Sequence, residues 1–296
     1  MLNINTNYAA AFAANAAKKT SSSLDTTVER LSSGLRINSA RDDAAGLAIA
    51  TRLQAEVQSI SVAARNAADA QSMLDTADGA LGETHNILLR MRELAVQASN
   101  GTLNSDDRAA LDAEFQQLEA EIDRIDANTT FAGVALLTGS SKTFQVGIAG
   151  SGGSNQITTT IGSMAAHNLG VDSSGPDNKL STDTGGASGD DTDNVNADLL
   201  TSTKAAAMIT AVDNAIKLVS TERGKLGAVS NRLSSTIANL DQVGVNLSAS
   251  KGRIADTDFA EESANLAKNQ ILQQAGVAML AQANASQSTI LSLIQK

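Results

Sequence analysis

Three observations predict a mainly α fold. It is a long, coiled-coil-like antiparallel bundle formed by the N- and C-terminal halves, with a small β-hairpin and loop region at the sequence middle. Apolar residues recur at heptad spacing in both halves, which argues for long packed helices. Eleven of the 22 glycines fall between residues 139 and 195, where turn chemistry interrupts any helix. Proline occurs once, at Pro176, and aromatic residues make up only 2% of the chain. Long helices can therefore run unbroken, and close Ala-rich contacts replace an aromatic core.

Residues 1–38 read as a helix followed by a turn. Residues 1–17 carry no charged side chain, and Ile4, Tyr8 and Phe12 stand at helical spacing. Leu24, Val28, Leu31 and Leu35 extend the pattern in a 4-3-4 rhythm. Gly34 suits the left-handed residue that ends a helix. An uncharged amphipathic end is either a frayed tail or a surface that becomes buried against partner chains. The second reading is preferred.

Residues 39–138 open on "SARDDAAGLAIATRL". The cluster Arg41, Asp42 and Asp43 has the residue types of a metal or acid/base site, but no further ligands are evident. Ser39 and Asp42 fit the S-x-x-D capping pattern, and Asp43 adds negative charge at the positive end of the helix dipole. Arg36 and Arg41 are available to pair these carboxylates. The expected role is a helix cap at a corner of the subunit. Leu53, Val57 and Ile60 begin a heptad run that reaches Leu81. After "NSDDR", where Asn104 or Ser105 can cap, Leu111, Phe115 and Leu118 begin another, and these residues are expected in the helix core.

Residues 139–195 hold the Gly, Ser, Thr, Asp and Asn of surface loops. "KTFQVGIAG" alternates as a strand does, and "FAGVALL" before it is a candidate hairpin partner. In residues 196–252, Val212, Val219, Leu226, Leu233 and Leu240 recur every seven residues and define a long returning helix. Residues 253–296 close the chain with a second uncharged stretch, 269–295, whose apolar positions include Leu272, Met279, Ile290 and Ile294.

Composition excludes several function classes. A formal net charge of −10 opposes binding to a phosphate backbone. With no cysteine, there is no thiolate nucleophile and no Cys-type zinc site. No apolar run reaches membrane-spanning length. "MLNINTNYAAAFAANAAKK" places its positive charge after the apolar run, unlike a cleaved secretory leader. His85 and His167 belong to no metal or catalytic motif. "GDDTDNVNAD" lacks the Gly and Glu of an EF-hand loop. No catalytic residue, metal or cofactor is expected. In "LLRMRELAVQASNGT", Arg90, Glu93, Leu94 and Gln97 share a helix face, which by itself says only that the face is polar and amphipathic.

Three quoted segments carry a family resemblance. "LSSGLRINSARDDAAGLAIATRL" resembles the N-terminal signature of bacterial flagellins, "MRELAVQASNGT" their following helix, and "RIADTDFAEESANLAKNQILQQAGVAMLAQAN" their C-terminal signature. The resemblance covers residues 1 to about 140 and about 195 to 296. It implies a structural subunit that self-assembles into the flagellar filament and is exported unfolded, without a cleaved leader, through the flagellar type III apparatus. Its implied partners are further copies of itself, the filament cap protein, the hook-junction proteins, an export chaperone and the export gate. It also implies an extracellular location, with the terminal helices in an inner tube, the adjoining helices around it and the middle facing outward. A middle of 57 residues (139–195) departs from members with large outer domains and implies a comparatively smooth filament. By motif match, Arg90, Leu94, Glu114 and Gln117 occupy positions that the flagellin-sensing Toll-like receptor contacts. A hook–filament junction protein and a chemoreceptor-like signalling hairpin are the alternatives. The first is disfavoured by the filament-type signatures, the second by the absence of membrane spans and of dense Gln/Glu pairs.

Overall fold

The structure is a computed structural model that describes residues 6–150, 155–172 and 198–294, the last eight of these by their backbone alone. The order of elements is α1 (Tyr8–Ser33), α2 (Ala44–Ala98), α3 (Ser105–Asn128), β1 (Thr130–Phe131), β2 (Val134–Ala135), β3 (Ser141–Gln145), β4 (Gln156–Thr160), α4 (Ala166–Leu169), α5 (Ser202–Ala255) and α6 (Phe259–Ile294). The fold is mainly α, as the heptads predict. The chain forms two compact units, Met1–Gln58 with Gly244–Lys296 and Ser59–Val243.

In the first unit α1 and α6 pack antiparallel. Asn7 caps α1 by accepting from the Ala10 N–H, and its amide donates to the Ala283 carbonyl at 3.1 Å. Further along, Asn269 donates to Thr27 and Arg30 faces Glu262 at 4.0 Å. The seam differs from the sequence reading at one register position. It runs through Thr27, which is buried, while Val28 is exposed. The hydroxyl of Thr27 meets the Asn269 amide, a partner that Val cannot satisfy. Opposite, Asn269, Gln273, Gly276, Leu280 and Ala283 turn inward at alternating spacings of four and three residues. Gly276 lies against Ala17: a Cβ there would sit 3.5 Å from the Ala17 methyl.

α1 ends at Gly34, whose φ of 71° is the left-handed conformation of a helix C-cap.

The second unit is larger and conventionally packed. Its core takes Leu74, Leu81, Leu88 and Met91 from α2, Phe115 and Ile122 from α3, and Met208, Val212, Val219, Leu226 and Leu233 from α5. α2 and α5 run antiparallel, since Gln71 bonds Ser234, Asp78 bonds Arg223 and Arg92 bonds Asp213. α3 begins with a capping box: Asn104 Oδ1 accepts from the Asp107 N–H at 2.7 Å, and the Asp107 carboxylate accepts from the Asn104 N–H. Of the two candidate caps, it is Asn104.

The sheet topology corrects one expectation. "FAGVALL" does not pair with "KTFQV". It folds on itself as the β1–β2 hairpin, turning through Ala132 (φ 49°) and Gly133 (φ 80°). Two successive left-handed residues match the twist of a tight two-residue hairpin. β3 pairs instead with β4, antiparallel, from Ser141 with Thr160 to Gln145 with Gln156. Carboxylates then fasten the segment that follows. Glu222 accepts from the Gly162 N–H, Asp126 from Met164 and Asp123 from Ala166, while buried Asp112 accepts from Leu199. Each fills a backbone donor that would otherwise be orphaned.

Candidate assembly surface

Among the described residues of the first unit, several large apolar side chains on α1 and α6 face outward. Tyr8 is 69% and Phe12 79% exposed, and Ile271, Leu272, Val277 and Met279 are exposed on α6. The α1–α6 seam takes small and polar residues such as Ala17, Thr27, Asn269 and Gly276, with Leu280 half-buried among them. This departs from the usual arrangement, in which the larger apolar groups are buried. Of the sequence-predicted packing set, Tyr8, Phe12, Leu272 and Met279 are thus on the surface of the single chain. Ile4 and the side chains of Ile290 and Ile294 lie outside the described residues, as does all of "GDDTDNVNAD" except Asp198.

The corner after α1 is held by its backbone. Leu35 bridges Asp256, the Arg36 N–H donates to the Ala255 carbonyl at 2.7 Å, and the Thr257 N–H donates to the Gly34 carbonyl at 3.0 Å. The Arg36 guanidinium donates to the Ile254 carbonyl at 2.7 Å, at the C-terminal end of α5 where cations are favoured. Arg36 therefore does not pair the aspartates, and Arg41 is exposed.

Within the Arg41-Asp42-Asp43 cluster the two carboxylates divide the work. Asp42 Oδ2 accepts from the Asn38 N–H and from both the N–H and the hydroxyl of Ser39. Those bonds, with the Ser39 backbone bond foremost, hold the Asp42 carboxyl below its ordinary range. Asp43 Oδ1 accepts from the Gly46 N–H at 2.8 Å, immediately before the first helical residue, Ala44. The helix thus starts later than the S-x-x-D reading places it. Asp43 acts as the cap and Ser39 as a ligand of Asp42 in the preceding turn. Gly46 is crowded: a Cβ there would meet Asp43 Oδ2 at 2.4 Å and Ile37 Cδ1 at 2.7 Å. Buried Ile37 is a corner residue that the sequence reading missed. Its only signal was an apolar side chain between two turn residues.

The helix-core positions fall as follows. Ile60, Phe115, Leu226 and Leu233 are buried, whereas Leu53, Val57, Leu111, Leu118 and Leu240 are half-buried. On the surface of the second unit, Arg90 donates to Glu114 at 2.8 Å and to Glu93 at 2.9 Å. These carboxylates, Glu114 first, raise the Arg90 pKa. Gln117 is exposed beside them. Leu94 is not part of that surface. It is 1% exposed and belongs to the core, because its helical register points between Met91 and Ala98 rather than outward. Among the described residues no group of His, Asp and Glu side chains could hold a metal ion, and no helix is long and apolar enough to cross a membrane.

Terminal helices that leave several large apolar side chains exposed define a helical protein with a surface suited to association. Comparison with known proteins gives the family. Residues 4–142 match the bacterial flagellin N-terminal helical region and residues 209–294 match the bacterial flagellin C-terminal helical region. The chain is 42% identical to a flagellin of Halalkalibacterium halodurans over 90% of both chains. It is 39% identical to the flagellin of Bacillus subtilis over 99% of this chain and 100% of that one. It is 37% identical to flagellin FlaB2 of Treponema pallidum over 99% of each. Among solved structures, a putative flagellar hook-associated protein from Vibrio parahaemolyticus shares the fold, with a TM-score of 0.56, 16% identity and coverage of 73% of this chain and 100% of that one. This chain belongs to the bacterial flagellin family and is a structural subunit of the flagellar filament.

Proposed function

We propose that polymerisation proceeds through the outward faces of α1 and α6. The observation that carries this reading is the exposure of Tyr8, Phe12, Leu272 and Met279 on the two terminal helices. Subunit packing would bury these side chains, together with Ile4, Ile290 and Ile294, and offset the entropy lost in ordering the ends. In this arrangement residues 1–38 and 253–296 form an inner tube and residues 39–138 and 196–252 surround it. Residues 139–195 face outward and leave a comparatively smooth filament. Ser39, Arg41, Asp42 and Asp43 set the corner of each subunit and a contact with its neighbour. The subunit leaves the cell through the type III export gate with an export chaperone, and joins the filament outside the cell beneath a cap protein and beyond the hook-junction proteins. Arg90, Glu114 and Gln117 form a surface open to a flagellin-sensing Toll-like receptor, and a role for Leu94 there requires its core packing to open.

Seeded growth tests this proposal. Purified chain added to short filament seeds should extend them under the electron microscope, and chain lacking residues 1–17 should remain soluble and fail to extend them. Normal extension by the truncated chain would overturn the role given to the outward faces.

A further inference from the structure

The loop between α2 and α3 contains the chain's one Asn–Gly pair, Asn100–Gly101. Four features of this loop bear on its chemistry. Both residues are exposed, and open space surrounds the Gly101 Cα where a Cβ would stand. The Gly101 N–H makes no hydrogen bond among the described residues. Asn100 Oδ1 accepts from the Thr102 N–H at 3.2 Å, which draws electron density from the side-chain amide carbon. The Asn100 backbone carbonyl accepts from Arg108 Nη2 at 3.0 Å, while Arg108 Nε holds the Ala98 carbonyl at 3.0 Å.

We propose that Asn100 is a site of spontaneous deamidation in the folded chain, and that Arg108 steers the product towards isoaspartate. Solvent hydroxide removes the Gly101 amide proton, and that nitrogen attacks Asn100 Cγ. The bond from Cγ to the side-chain nitrogen breaks, and this nitrogen takes up a proton from water and leaves as ammonia. The product is a five-membered succinimide. No electrons are exchanged with any other species. Water then opens the ring at one of two carbonyls. Attack at Cγ breaks the new bond to nitrogen and gives aspartate. Attack at the former backbone carbonyl breaks the original peptide bond to Gly101. The chain then runs through the side chain, and the old carbonyl becomes a free carboxylate. Arg108 already donates to that oxygen, so it polarises the second carbonyl and forms an ion pair with the carboxylate that results. The pair also offsets the unfavourable placing of a negative charge at the C-terminal end of α2.

Other asparagines supply internal controls. Asn38 precedes Ser39, whose N–H is tied to Asp42 at 2.9 Å. Asn128 precedes Thr129, whose N–H is tied to the Ile125 carbonyl at 3.0 Å. Both following residues also carry a Cβ that crowds the attacking nitrogen.

The full-length chain, incubated folded at mildly alkaline pH, is digested and read by peptide mass and by enzymatic methylation of isoaspartate. Conversion at Asn100 should exceed that at Asn38 and Asn128 by about tenfold or more, and Gly101→Ala should slow it by about tenfold through the added Cβ. The isoaspartate share should be higher in the folded chain than in chain unfolded in urea. Arg108→Gln should remove that excess while Arg108→Lys keeps part of it, with circular dichroism confirming that both variants are folded. Conversion at Asn100 no faster than at the two controls, or an intact Asn100 in folded chain while the unfolded chain converts, overturns the site. An isoaspartate share equal in folded, unfolded and Arg108→Gln chains overturns the steering.

Discussion

The two units differ in how many large apolar side chains they bury. In the second, Leu, Met, Ile and Phe turn inward from α2, α3 and α5 and form one continuous core. In the first, the α1–α6 seam takes residues such as Ala17, Thr27, Asn269 and Gly276 beside Leu280, and Tyr8, Phe12, Leu272 and Met279 face out. A core of the first kind removes much apolar surface from water, the main favourable contribution to folding. A seam of the second kind sets a register through paired polar groups and contributes less hydrophobic stabilisation. The difference teaches that the second unit gathers most of its large apolar side chains into one core, whereas α1 and α6 leave several of theirs on the surface, where the proposed subunit contacts would use them.

Substitutions can break this contrast or sharpen it. The largest effect is expected at Phe115, which is fully buried: Phe115→Ala should cost the second unit about 3–5 kcal/mol in thermal or denaturant unfolding. An equally large loss from Leu280→Ala in the half-buried α1–α6 seam would erase the distinction. Gly46→Ala comes next. With Ile37 and Asp43 in the way, it should destabilise the corner by about 1–3 kcal/mol, seen as faster amide exchange at Gly34–Gly46 and unchanged exchange in the α3 core.

Phe12→Ala should change single-chain stability by less than about 0.5 kcal/mol, as an exposed site, yet impair seeded extension. Loss of monomer stability with normal extension would contradict the proposed use of that face. The smallest effect is expected at the surface ion pair of Arg90, where Arg90→Ala should cost no more than about 1 kcal/mol.

A pH titration probes the corner alone. The Asp42 carboxyl is held below its ordinary range by the bonds from Ser39 and Asn38. Its contribution is therefore present above the ordinary carboxylate pKa and is lost as pH falls through the lowered value. Asp42→Asn should flatten that acid limb in amide exchange at Asn38 and Ser39. An acid limb unchanged in the variant would assign it to another group.

What the sequence made legible follows the same contrast. Val212, Val219, Leu226 and Leu233 could be read as core because large apolar side chains at heptad spacing have little choice but to be buried together. Thr27 could not be preferred over Val28 by hydropathy, because a specific Asn269 amide decides that register. At the corner, Ser39–Asp42 and Asp43–Gly46 are both plausible caps with the same spacing. The structure selects the second, with the Asp43 carboxylate on the Gly46 N–H. β3 chose β4, "QITTT", whose alternation of Ile157 with threonines is a weaker signal than that of the nearer apolar "FAGVALL". The motif resemblance points Leu94 to a surface, and its helical phase places it in the core.

Tyr8 has a use beyond its packing. It is the only tyrosine of a chain without tryptophan, and it stands on the outward face of α1. Tyrosine emission, excited at wavelengths that phenylalanine does not absorb, therefore reports on that one helix and is blind to the interior of the second unit. Monomer unfolding, followed by far-ultraviolet circular dichroism, and joining of subunits, followed by tyrosine fluorescence, can be recorded as separate signals on the same unlabelled sample.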